Sequence, residues 1–349
     1  MDERQRLVEQ LRRFGAIEAP SSPLYQRLAP LIAEREPLVD LLLRRQSGQP
    51  PANVILAALQ RRLIDRPDVP LAAYYPTLGG RRAVDAGLVA AFDAFWPAEL
   101  PVLAALVRAR RVATNEVRRA AVLRLGYVAI ARALMADGRL PAAHVVEIGT
   151  SAGLTLLWDR FAFVYGTVRT GHVAPVLTMT TAWRGEHPPA CGPALEVLSR
   201  LGVDLEPQDV HDEDAMAWLR ALVWPEHLDR VAAFDAALAV ARADPPPLVA
   251  ADALVYLPAG LDALPTREPA VVVHGFTVNQ FSPAMRRQLD QALADAAEAR
   301  PVFRLGYEWA PGPGCVLELT TYPGGRSTLL AVADAHGAWV EPRDPSVIG

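Results

Sequence analysis

The stretch His144-Val-Val-Glu-Ile-Gly-Thr-Ser-Ala-Gly-Leu-Thr-Leu-Leu157 decides how the rest of this chain is read. An apolar run reaches an acidic residue, passes through small residues and resumes as an apolar helical pattern. That is a strand, a tight turn and a helix start, the arrangement α/β proteins use to hold a nucleotide-like ligand. Gly149 is free to take a positive φ and bring the backbone close to a ligand. Gly153 is predicted to open a helix whose N–H groups and dipole meet a carboxylate. Glu147, Gly149, Ser151 and Gly153 are therefore the first candidate ligand-binding residues.

Working outward, the pattern differs on the two sides of this stretch. Residues 1 to about 140 read as helices broken by proline, with helical apolar spacing at Leu38–Leu43 and Val54–Leu59 and no convincing strand. A helix from about Asp85 is expected to end before Pro97, and Val102 to Ala136 to carry one or two more. From His144 onward, strands alternate with helices, the signature of a mostly parallel sheet. Predicted strands are Val145–Ile148, one within Pro175–Trp183, Leu201–Pro207, Leu248–Asp252, Ala270–Phe276, Val302–Trp309, Val316–Thr321 and Thr328–Val332, with long helices over Asp214–Arg242 and Ser282–Arg300. The expected organisation is a helical domain over 1–140 and an α/β domain over 141–349 with an insertion near 165–200.

Composition bounds the function. With 349 residues and 51% hydrophobic content, the chain can bury a large core. A net charge of −4 gives no general pull toward nucleic acid or an anionic membrane, and no basic stripe with interleaved aromatics is present. Every fixed positive side chain is arginine, since the chain has no lysine. No run of about 18 apolar residues suited to a bilayer is evident, and the charged start Met1-Asp-Glu-Arg-Gln-Arg6 leads into no apolar segment. Cys191 and Cys315 form no metal pattern or disulfide framework. A cytoplasmic protein acting on a small molecule is the expectation.

Three successive predicted strands finish near an acid: Glu147, Asp204 and Asp252. In an open parallel sheet, ligands bind beyond the carboxyl ends of the strands. A carboxylate after the second strand can accept from both ribose hydroxyls, and one after the third from an exocyclic adenine amine. With a helix start to hold a small carboxylate, the set matches S-adenosylmethionine. A dinucleotide suits it less, because Ser151 stands where G-x-G-x-x-G has its second glycine.

These residues resemble the class I methyltransferase pattern: Glu147-Ile-Gly-Thr-Ser-Ala-Gly153 its first motif, Gly202-Val-Asp-Leu-Glu-Pro207 its second-strand motif and Ala251-Asp-Ala253 its third. The resemblance covers about residues 144–335 and implies a Rossmann-like seven-stranded mixed sheet and S-adenosylmethionine as cofactor. The chain departs from the pattern at Ser151 and near 165–200. Over its whole length it also resembles a bacterial family known only as domain of unknown function 2332. The strings that carry this likeness are Ser22-Pro-Leu-Tyr25, Tyr74-Tyr-Pro76, Thr114-Asn-Glu-Val-Arg-Arg119, Glu147 to Leu154, Trp158-Asp-Arg160, Trp218-Leu-Arg-Ala-Leu-Val-Trp-Pro-Glu226 and His336-Gly337. That resemblance implies no activity.

Outside the cofactor residues, Asn115 and Arg119 are expected one helical turn apart with Glu116 beside them, either as a buried network or as a wall orienting an acceptor. Arg119 suits a carboxylate-bearing acceptor, because its fork pairs with carboxylates bidentately. His274, ending the fourth strand, is a candidate general base. His211-Asp-Glu-Asp214 reads as helix capping rather than a metal site. Two other readings stay open. Gly149-Thr-Ser-Ala-Gly153 is literally G-x-S-x-G, so Ser151 is a possible nucleophile with Asp252 and His274 or His336, although that hydrolase fold needs strands ahead of the elbow. The third reading is a non-catalytic protein that binds a nucleoside or a partner.

Overall fold

The computed structural model describes residues 2–113, 116–187, 189, 192–312 and 314–343. Along the chain come α1 (Glu3–Arg13), α2 (Pro23–Ala33), α3 (Glu36–Leu42), α4 (Pro51–Asp65), α5 (Gly87–Ala109) and α6 (Arg119–Ala136). Then follow β1 (Ala142–Ile148), β2 (Ala162–Tyr165), β3 (Val168–Gly171), β4 (Thr178–Trp183) and β5 (Glu196–Asp204). After α7 (Glu213–Ala221) and α8 (Leu228–Ala243) come β6 (Leu248–Ala250), α9 (Ala253–Asp262), β7 (Ala270–Gly275) and α10 (Pro283–Ala296). The chain ends in β8 (Val302–Trp309), β9 (Cys315–Tyr322), β10 (Arg326–Ala333) and β11 (Trp339–Pro342).

Two compact units are formed, one from Met1–Thr114 with His211–Ala232 and the other from Asn115–Val210 with Ala233–Gly349. The first is helical among its described residues. Its longest helix, α5, does not stop before Pro97 but continues through both Pro97 and Pro101 for 23 residues. Burial of Leu88, Phe92, Phe95, Leu103 and Val107 along one stripe offsets the ladder hydrogen bonds that the prolines remove. This helix is long and apolar enough to cross a bilayer by length and composition, contrary to the expectation that no such run exists. Its acids are internally paired: Asp93 accepts from Arg35 Nε and Nη2, and Glu99 is shared by Arg62 and Arg66. Of the acids at the start of α7, Asp212 caps the helix as expected, and Asp214 is ion-paired. Asp212 accepts the N–H groups of Asp214 and Ala215, while Asp214 pairs with Arg61 and Arg110. The helical region expected over Asp214–Arg242 is two helices, parted around Pro225.

The second unit is built on a mixed sheet of eleven strands, not seven, in the order β3-β2-β4-β11-β10-β9-β8-β7-β1-β5-β6. The strands from β6 to β8 are parallel, and β8 to β11 run as an antiparallel meander. Beyond the seven expected strands lie β2, β3, β4 and β11, of which β4 is the strand read within Pro175–Trp183; β4 pairs with β11 and extends the sheet past the meander. Four-residue strands such as Val168–Gly171 are too short to show a period. Strand β1 is buried at all seven positions, as a central parallel strand requires. One face packs Val146, Ile148, Val272 and Val302 against Leu254, Leu257 and Leu261 of α9 and Leu289 and Leu293 of α10. Helix α6 lies close to β8 at Gly126, where any Cβ would collide with Leu305.

Candidate active site

From β1 the parallel strands run outward through β5 and β6 in chain order; β7 and β8 then continue on the other side of β1. The order therefore reverses between β1 and β7. In doubly wound sheets that reversal opens a crevice at the carboxyl ends of the strands, where ligands bind. The turn after β1 and the segment after β7 meet there: a Cβ on Gly149 would run into the side chain of Thr277.

The turn has an alternating backbone. Gly149, Ser151 and Gly153 have φ of +74°, +54° and +70°. For Ser151 the left-handed region costs about 1–2 kcal/mol, and neighbouring β5 holds the strained residue in place. Ser151 N–H donates to Asp204 Oδ2 at 2.9 Å, Gln208 N–H to the Ser151 carbonyl at 3.1 Å, and Gly149 N–H to the Val203 carbonyl at 2.8 Å. Asp204 Oδ1 accepts from Glu206 N–H at 2.9 Å. Sequence reading places Asp204 at a strand end but misses that its first role is to shape the turn.

Glu147 lies beneath the turn and is buried. Thr150 Oγ1 donates to its Oε2 at 2.9 Å and Thr155 Oγ1 to its Oε1 at 2.6 Å. Burial pushes this carboxyl up to about 7; the threonine hydroxyls oppose the shift, nearby Asp204 adds to it and Arg119 works against it. The two threonines carry no sequence signal beyond their position beside the glycines.

The predicted helix after Gly153 is absent. Residues Leu154–Arg160 form a 3₁₀ segment kinked at Leu157 in place of an α-helix, so only a short run of aligned peptide dipoles faces the turn. The cation near this end of the crevice is Arg119, the first residue of α6, whose charge reaches Glu147. Its guanidinium carbon sits 3.9 Å above the Phe276 ring, and its Nε donates to the Ala335 carbonyl at 3.1 Å. Phe276, at φ +60°, is wedged edge-on between Tyr307 and Trp309. Because α6 starts at Arg119, Glu116 lies outside the helix; it accepts from Arg118 N–H through Oε1 at 3.3 Å and from Arg119 N–H through its carbonyl at 3.1 Å. Asn115, placed one turn from Arg119 by sequence spacing, falls outside the described residues.

His274 pairs in register with Ile148 across β1 and β7. It is 3% exposed, with Nδ1 2.6 Å from Glu308 Oε1 on β8. Glu308 also accepts from the backbone N–H groups of Thr277, Val278 and Asn279 at 3.1, 3.0 and 3.2 Å. Burial pushes the Glu308 carboxyl up, but its bond to His274 and the turn's N–H groups outweigh that, and the net shift is downward. An anionic Glu308 only accepts, so His274 Nδ1 is the donor and Nε2 stays outside that pair. His274 Nε2 and Ser151 Oγ are both buried without a hydrogen-bond partner. Sequence reasoning misses Glu308, because nothing local in Glu308-Trp309 marks it as the partner of a histidine 34 positions earlier.

Asp252 stands apart from this group. It is exposed, lies two residues beyond β6 and caps α9 by accepting Leu254 N–H at 2.8 Å. The carboxylate on His274 is thus Glu308 and not Asp252.

The arrangement comprises a strained turn locked by Asp204, a buried carboxyl of raised pKa, a stacked arginine and an imidazole with one nitrogen uncommitted. Comparison with curated proteins finds no match. A family model described as an uncharacterized protein conserved in bacteria (DUF2332) matches residues 8–341, nearly the whole length. The chain belongs to this family of domain of unknown function 2332.

Proposed function

We propose that the second unit binds S-adenosylmethionine at the Gly149–Gly153 turn and transfers its methyl group to a small, carboxylate-bearing acceptor. The observation that carries this reading is the left-handed turn tied to Asp204 at the point where the strand order reverses. The nucleoside half fits these residues. Each Asp204 oxygen accepts one backbone N–H, so each keeps a lone pair for a ribose hydroxyl. Gly149 keeps the mouth of the turn free of side-chain bulk. The amino-acid half finds no helix start, and Arg119 is the group suited to its carboxylate or to that of the acceptor. Bound there, the cofactor supplies an electrophilic methyl group. His274 Nε2 then accepts the acceptor's proton while Glu308 steadies the imidazolium.

Titration calorimetry with S-adenosylmethionine and S-adenosylhomocysteine tests the reading. Saturable binding to the native protein is expected, weakened by about 1.5–3 kcal/mol in Asp204→Ala, the range for charge-assisted hydrogen bonds. Absence of heat with either compound sinks the assignment. Binding without turnover on any acceptor would instead favour a nucleoside-binding protein.

A second reading draws on Ser151, whose left-handed φ and unpartnered hydroxyl suit a nucleophile, with His274–Glu308 as its base. It fits the surroundings less well, since no strand precedes β1 among the described residues and no α-helix follows the turn. Covalent labelling of Ser151 by a fluorophosphonate, lost in His274→Ala, would favour it over methyl transfer.

A further inference from the structure

Three stretches that the Gly149 turn leaves unused meet inside the first unit: Ser22–Tyr25, Tyr74–Thr77 and Trp224–Glu226. Leu24 N–H donates to Glu226 Oε1 at 2.9 Å, and Thr77 N–H donates to the Pro225 carbonyl at 3.1 Å. Gln60, fully buried, ties them further: Tyr25 Oη donates to its Oε1 at 3.0 Å, and its Nε2 donates to the Val223 carbonyl at 2.9 Å. The Tyr25 ring lies 6.5 Å from Tyr75 and 5.9 Å from Trp224.

Within this well-bonded cluster three buried side-chain atoms have no hydrogen-bond partner: Tyr75 Oη, Thr77 Oγ1 and Glu226 Oε2. Tyr75 is 0% and Thr77 6% exposed. Leaving one such group unsatisfied costs about 1–3 kcal/mol, so three on neighbouring stretches call for partners. Leu24 lies in the first turn of α2, which is capped by Ser22, so Glu226 Oε1 sits at the N-terminal end of that helix. Burial, with the Glu226 charge adding to it, raises both the Tyr25 and the Tyr75 phenol, and both stay protonated.

The charge and number of these atoms select the partner. Glu226 repels an anion. A calcium or magnesium ion asks for six or more oxygens, so these three would leave about half of its shell to water. A primary ammonium brings one positive charge and three N–H donors, one for the carboxylate oxygen and one for each hydroxyl. Tyr25, Tyr75 and Trp224 add aromatic faces to the same surroundings. Arg230, four residues after Glu226, directs Nη1 to His227 Nδ1 at 2.8 Å.

We propose that the first unit holds a primary ammonium group on Glu226 Oε2, Tyr75 Oη and Thr77 Oγ1. The inference is independent of methyl transfer in the second unit. The test uses the full chain, with methylammonium as probe against tetramethylammonium and sodium at equal ionic strength, read by thermal unfolding and calorimetry. Methylammonium is expected to bind and raise the midpoint. Tetramethylammonium, which has the charge but no N–H, and sodium are expected to do neither. Affinity should fall by about tenfold or more in Tyr75→Phe and in Glu226→Gln, a difference of about 1.4 kcal/mol. Equal responses to all three cations would overturn the proposal, as would a crystal grown with methylammonium that shows only water on the three atoms. Should Glu226→Gln not fold, Tyr75→Phe decides alone. A variant that becomes more stable while keeping the methylammonium response would mean an ordinary unsatisfied hydroxyl, and the proposal fails.

Discussion

Gly149 is held to glycine twice over, by a φ of +74° and by Thr277 standing where a Cβ would go. Gly149→Ala is therefore expected to destabilise the second unit by about 1–3 kcal/mol. Adding Thr277→Ala should recover only the collision part, because the dihedral strain remains. Equilibrium denaturation of the single and double variants measures both. Glu147 sets a pH dependence whose sign follows from its raised pKa. Between about 4.5 and about 7 the folded chain binds a proton that the unfolded chain releases, so stability falls as pH rises through that window. The full effect, present above pH 7, is about 3 kcal/mol. Glu147→Gln keeps one threonine donating to its Oε1, has the other hydroxyl turn to accept from its Nε2, and removes the titration, so it should be more stable than the native protein at pH 8 and flatten the profile between pH 5 and 7. A profile equally steep in the variant would place the titration elsewhere.

At the scale of elements, Asp252 and Asp204 look alike in sequence, each an acid following a short apolar run, yet they hold different structures. Asp252 caps α9, so Asp252→Ala should cost about 1 kcal/mol in unfolding free energy and leave ligand affinity at the turn unchanged. A matching loss of affinity in that variant would return Asp252 to the site. The strands that lie most plainly in the sequence, β1 and β7, are buried nearly throughout, as in Ala270-Val-Val-Val, where burial on both faces leaves a continuous apolar signal. The short strand β3 alternates half-buried with exposed positions, and its Val168-Arg-Thr-Gly171 could as well be a loop. The helix expected after Gly153 fails for a related reason. Leu154-Thr-Leu-Leu-Trp158 is apolar on every side, so burial of the whole segment, and not an amphipathic period, produces the pattern. At the site, the glycine turn is legible because its chemistry is local. The His274–Glu308 pair is not, because it depends on which strands lie side by side.

The whole molecule divides in a way the chain order hides. The first unit takes in His211–Ala232, although the strands of the second unit intervene in sequence. This segment completes bonds that residues 1–114 begin. Trp218 Nε1 donates to the Arg111 carbonyl at 2.8 Å, Asp214 pairs with Arg61 at 2.8 Å, and Gln60 reaches the Val223 carbonyl at 2.9 Å. Met216, Trp218 and Leu219 of α7 are at most 4% exposed. Removing the segment would bare the surface of residues 1–114 that this face covers and leave the fully buried Gln60 without the acceptor for its amide. Each orphaned buried group costs about 1–3 kcal/mol, against a total stability of only about 5–15 kcal/mol for a domain of this kind. A fragment ending at residue 114 is therefore expected to show helical circular dichroism without a cooperative melt. The same fragment joined through a flexible linker to residues 211–232 should regain both a cooperative transition and dispersed amide resonances. If the shorter fragment already melts cooperatively with dispersed resonances, the returning segment is an accessory to that unit and not part of its core.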